Sequence, residues 1–220
     1  MGRGSLVVLV GAAALVAAAV ALAGGHEQIK YNAADQAAAR AATLHRADLP
    51  PAAGWAGGAA KPDISAPPSC PNYPVDLSRF VLTGAAASNW HRATRQISER
   101  TEVLQTTRMV SQEWRLQVTA PGAVACLRTV LTQSFAVTGL KLVSFTRISF
   151  PKLGTYTAAF RLLADAGAQG STVHLVIEVV LVGKGRAEVE MTVSDFAAAQ
   201  SSVSADALRY ARILAGRVKT

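Results

Sequence analysis

Apolar positions change their period several times along the chain, and each change marks an element. Leu6 to Ala23 is an unbroken apolar run. Glu27 to Leu49 is Ala-rich, with Ile29, Ala33, Ala37, Ala41 and Leu44 at helical spacing, until Pro50-Pro51 and Gly54 stop it. Ala52 to Pro74, with its prolines and glycines, reads as irregular connection. Phe80 to Trp90 is a strand candidate broken by Gly84. Ile97, Glu99, Thr101 and Val103 alternate on one face of a second strand. The period then lengthens: Met109, Val110, Trp114 and Val118 suit a helix. Pro121 opens another helix, with Val124, Leu127, Leu131 and Phe135 on one stripe and Gly139 at its end.

Four strands follow, Leu140–Phe150, Leu153–Ala164, Thr172–Val182 and Arg186–Ser194, separated by connections short enough only for antiparallel neighbours. A final helix runs from about Ala205 to Val218, with Ser204 as its N-cap and a buried stripe of Val203, Ala207, Tyr210, Leu214 and Val218. Segregated strands and helices predict an α+β fold. Its antiparallel sheet ends in a four-strand meander, and two central helices and the C-terminal helix pack on it. A hydrophobic N-terminal helix precedes this arrangement. The expected organisation is residues 1–25 as signal peptide or membrane anchor, 26–49 as the Ala-rich helix, and 50–220 as one extracytoplasmic domain.

The last hairpin carries a register expectation. A three-residue loop, Gly183-Lys184-Gly185, sets Leu181 opposite Ala187 and Val179 opposite Val189. It also makes Glu178 and Glu190 cross-strand partners on the outer face, beside His174 and near Glu188, with Arg161 opposite His174. Val176, Val180, Val182 and Ala159 share that face. They are either covered by the N-terminal helix or form one wall of an apolar groove.

Charge and composition narrow the functional classes. The chain has 220 residues, 50% hydrophobic and 16% charged, with a formal charge of +8. That excludes intrinsic disorder, and the two cysteines exclude a disulfide-dense miniprotein. Arg3 before the apolar run, and Ala21-Leu22-Ala23 at its end, fit an export signal cleaved after Ala23. The run is also just long enough to be an uncleaved anchor. Either way the remainder lies outside the cytoplasm, where Cys70 and Cys126 are expected to form a disulfide. No cysteine follows the run to carry a lipid.

Known catalytic signatures are absent: no G-x-S-x-G, no P-loop, no H-E-x-x-H. The four histidines are scattered. No catalytic, cofactor-binding or metal-ligating residue is assigned. Arg161, His174, Glu178 and Glu190 stand as binding candidates on the outer face. Aromatic residues, at 6%, do not interleave with the basic ones as nucleic-acid binders require. The positive charge suits an envelope lipid or cell-wall component better.

The run Leu44-His45-Arg46-Ala47-Asp48-Leu49-Pro50 leading to Gly54-Trp55 is followed by Cys70, Asp76-Leu77-Ser78 and Thr83-Gly84-Ala85-Ala86-Ala87-Ser88. Together these resemble uncharacterised secreted actinobacterial proteins. More distantly they resemble PknH-type extracellular sensor domains and LpqN-type lipoproteins. The resemblance implies an α+β sandwich with a cleft, and ligand binding rather than catalysis. The chain departs from both: it has fewer cysteines than the sensors, no kinase, and no lipobox cysteine. The resulting expectation is a non-enzymatic exported or membrane-tethered protein that binds a small apolar or envelope-derived ligand. The alternatives are an envelope hydrolase or transferase using the outer-face carboxylates, and a structural interaction module.

Overall fold

The computed structural model describes residues 27–64, 70, 72–168 and 171–219. The apolar run expected to be a signal or anchor lies outside them. No helix among the described residues is long and apolar enough to cross a membrane.

The fold is α+β, with one eight-stranded sheet. In chain order the elements are β1 (Gln28–Ile29), α1 (Ala33–Ala41), β2 (Ala56–Ala60), β3 (Val81–Arg92), β4 (Arg95–Leu104), α2 (Thr107–Trp114), α3 (Ala123–Val137), β5 (Leu140–Ile148), β6 (Tyr156–Ala168), β7 (Ser171–Lys184), β8 (Ala187–Phe196) and α4 (Gln200–Arg217). The strand order is β1-β3-β4-β8-β7-β6-β5, and β2 also pairs with β3. Strands β5 to β8 form the expected antiparallel meander.

Both faces of the sheet are covered. On one, Val176, Val180, Val182, Val189, Met191 and Val193 pack with Val203, Ala207, Tyr210 and Leu214 of α4 and with Ala39 of α1. The stripe expected of the C-terminal helix is fully buried there, and each large apolar side chain so buried stabilises by about 1.5–3 kcal/mol. On the other face, Ile177, Val179 and Phe160 pack with Leu127, Leu131 and Phe135 of α3. Cys70 and Cys126 join a loop to α3 through the expected disulfide, with Cα atoms 5.7 Å apart.

Helix α1 lies close over β3. Asn32 caps it by accepting the Asp35 N–H at 2.9 Å. A Cβ on Gly84 would come within 2.3 Å of the Asp35 carbonyl oxygen, so this approach requires glycine. Arg186, in the β7–β8 turn, donates to both Asp35 carboxylate oxygens at 2.7 and 3.0 Å. The hydrogen bonds from Arg186 hold the Asp35 carboxyl well below the usual carboxylate range.

Several expectations are corrected. Residues 27–49 are not one helix: β1 and short 3-10 turns replace its ends. Part of the supposed irregular connection is strand β2. Helix α4 starts at Gln200, which leaves Ser204 inside it rather than at its cap. The β7–β8 loop is Gly185-Arg186, with Lys184 opposite Ala187, Val182 opposite Val189 and Val179 opposite Thr192. Gly185 takes a φ of 58°, as the first central residue of a type II′ turn does. The expected register assumed one solvated face. With both faces covered, hydrophobic alternation no longer selects a register. The turn is held instead by tertiary partners, Arg186 by Asp35 and Lys184 Nζ by the Ala215 carbonyl at 2.9 Å.

Candidate functional site

The corrected register brings Arg161 and Glu178 together and separates them from His174 and Glu190. Glu178 pairs with Val193 and Glu190 with Leu181, so the two carboxylates lie on opposite faces and form no pair. The hydrolase reading loses the constellation it was built on. Arg161 faces Glu178, not His174. Its Nε and Nη2 donate to Glu178 Oε1 at 2.9 and 2.7 Å, and Ser204 Oγ donates to the same oxygen at 2.6 Å. Glu178 is fully buried under α4, so this pair clamps the helix to the sheet. His174 is exposed near one end of β7, where its Nδ1 lies 2.7 Å from Asp165 Oδ1. The valine patch is covered mainly by α4, with Ala39 of α1 in the same cluster.

Glu190 belongs to a cluster that sequence reasoning missed. Alternation along β4 and β8 puts Arg100, Glu102, Glu188 and Glu190 on one sheet face. Register sets Glu102 opposite Glu188 and Arg100 opposite Glu190. Helix α2, capped by Thr106, adds Glu113 from above, and the chain entering β1 adds Glu27. The carboxylate oxygens of Glu27, Glu102 and Glu113 lie within 4.8 Å of one another. Arg100 bonds Glu190 at 3.1 Å, pairs with Glu102 at 3.4 Å and donates to the Asp63 carbonyl. Gln117 Nε2 donates to Glu113 Oε1 at 2.6 Å. Among the described residues, no donor reaches Glu113 Oε2, Glu188 Oε1 or Glu190 Oε1, although all three atoms are buried.

Glu102, Glu113, Glu188 and Glu190 line a cavity of about 50 Å³, walled elsewhere by apolar side chains including Trp114, Val118 and Leu127. Burial, and then repulsion from Glu102, pushes the Glu27 carboxyl up to about 7. Burial raises Glu190 to about 7 as well, against the opposing pull of Arg100. Glu113 and Glu188 are driven well above the usual carboxylate range by burial and by neighbouring carboxylates. Burial opposes the charge on Arg100, but the surrounding acids win and raise its pKa above the usual guanidinium value. The legible sign was the i, i+2 spacing of Glu188 and Glu190, and of Arg100 and Glu102. It was masked by the assumption that their face is solvated.

A second concavity, of about 400 Å³, lies between α1 and β2 over β3. Leu44, Ala86 and Trp90 form its apolar floor, and Arg40, His45 and Arg46 stand at its rim. Its lining contains no carboxylate and no thiol.

No family model and no curated protein matches the chain. Two solved structures show a distant likeness. One is a protein of unknown function from Pseudomonas aeruginosa, with 16% identity, 54% of this chain and 74% of that chain covered, and a TM-score of 0.29. The other is LpqN of Mycobacterium tuberculosis, described as involved in cell envelope biogenesis. It has 12% identity, 72% of this chain and 76% of that chain covered, and a TM-score of 0.25. Both TM-scores are too low for anything to be carried over from either protein.

Proposed function

We propose that this protein is a non-enzymatic extracytoplasmic binding protein, exported or tethered through its N-terminal apolar run. Its ligand is an envelope-derived amphiphile with an anionic head. The α1–β2 groove carries this reading. Its volume of about 400 Å³ falls within the range of small-molecule sites. An apolar floor of Leu44, Ala86 and Trp90 suits a hydrocarbon segment, and the cationic rim of Arg40 and Arg46 suits a phosphate or carboxylate. The Cys70–Cys126 bond supports an oxidising compartment.

The test is native mass spectrometry of protein purified from its host envelope. Ala59 lines the groove and lies opposite Ser88, on the sheet face that carries Ala86 and Trp90, so Ala59→Leu narrows the groove. The wild-type chain should retain an amphiphile that Ala59→Leu and Arg40→Glu lose. A wild-type chain without a retained molecule, or one retained equally by both variants, removes the groove as the site.

A further inference from the structure

The buried cluster of five glutamates beneath α2, four of which line a cavity, is independent of the groove and poses a separate problem. Carboxylates directly opposite one another on neighbouring strands repel, and burial in low dielectric adds to the cost. Arg100 supplies one positive charge among Glu27, Glu102, Glu113, Glu188 and Glu190. Glu113 is only 3% exposed, lines the cavity and has Oε2 without a donor. Buried polar atoms in folded proteins are nearly always satisfied, so such an oxygen calls for a partner.

We propose that the Glu27–Glu102–Glu113 cluster, at the edge of this cavity, holds a calcium ion with those three carboxylates as its protein ligands. The donor set is all carboxylate, with no histidine or thiolate, which selects a hard cation over zinc or copper. The three ligand oxygens lie within 4.8 Å of one another, a spacing that two Ca–O bonds of ~2.4 Å can span. The ligands come from a chain segment, a strand and a helix. That arrangement suits the flexible coordination of calcium better than the strict octahedron of magnesium. The cavity of about 50 Å³ also leaves room for the water ligands that complete a shell of six to eight oxygens. Glu188 and Glu190 add carboxyl oxygens to the cavity wall, and Arg100 holds Glu102 and Glu190 in place.

The competing occupant of the cluster is a proton shared between carboxyls, and the experiment separates the two. Chelator-treated protein is titrated with Ca²⁺ and, separately, with Tb³⁺, whose luminescence Trp114 in the cavity wall can sensitise. Ca²⁺ should raise the melting temperature, and Tb³⁺ should show tryptophan-sensitised emission that Ca²⁺ displaces. Glu113→Gln should weaken both responses by about tenfold or more, comparable to the loss of a metal site's supporting group. It should fold in chelator, because a neutral amide of the same shape replaces the buried carboxyl. Glu27→Gln, outside the sheet's interior strands, gives the same reading should Glu113→Gln fail to fold. Absence of both responses at ~1 mM Ca²⁺, the weak end of calcium sites, overturns the proposal. Undiminished responses in the Gln variant overturn it as well.

Discussion

Glu102 and Glu188 are direct partners across the β4–β8 pair, on a sheet face covered by α2. Burial and its carboxylate neighbours keep Glu188 protonated well above the usual range. Its folded pKa exceeds its unfolded one, so stability is full below the unfolded value and falls above it until the folded group also ionises. In chelator, Glu188→Gln should leave stability unchanged at ~pH 3.5, below the unfolded value, and raise it at ~pH 9. Urea melts at the two pH values check this. A loss at both would mean that Glu188 makes a contact the amide cannot replace.

Glu99 lies on the opposite face from the acid cluster. Burial lifts its carboxyl from 4.5 to about 8, although the Leu44 N–H donates to it. The folded state therefore holds an extra proton between those values, and stability declines as pH rises through that window. Glu99→Gln should flatten part of the decline. A Gln variant with an unchanged pH slope would contradict the assignment.

Arg161 and Glu178 form the buried clamp under α4, with Glu178 fully buried. Arg161→Ala strands a buried carboxylate and should cost ~3–5 kcal/mol. The double replacement Arg161→Met with Glu178→Leu should recover most of that loss. Denaturant melts of the single and double variants measure the difference.

Gly84→Ala forces a Cβ against the Asp35 carbonyl. Because backbone rather than a flexible side chain must yield, the expected cost is ~1–3 kcal/mol. The amide protons of α1 should lose protection first in hydrogen exchange. Uniform loss across the sheet would place the strain elsewhere.

Reduction of Cys70–Cys126, which spans a sequence separation of 56, should cost ~2–4 kcal/mol. Thermal melts with and without reductant check this. An unchanged melting temperature would show that the loop carrying Cys70 contributes nothing through its tether.

The sequence by itself determined what depends on local period and short connections. The β5–β8 meander follows from antiparallel neighbours joined by few residues. The α4 stripe of Val203, Ala207, Tyr210, Leu214 and Val218 follows from helical spacing, and the disulfide from two cysteines in a chain read as exported. Tertiary structure decided the rest, because alternation says which residues share a face but not what covers that face. The β7–β8 register rests on Arg186 reaching Asp35 and Lys184 reaching the end of α4. Those contacts lie far apart in sequence, and no periodicity encodes them. That register sent Glu178 under α4 and Glu190 to the opposite face. There, residues from β4, β8, α2 and the chain entering β1 were brought together into one buried cluster of acids.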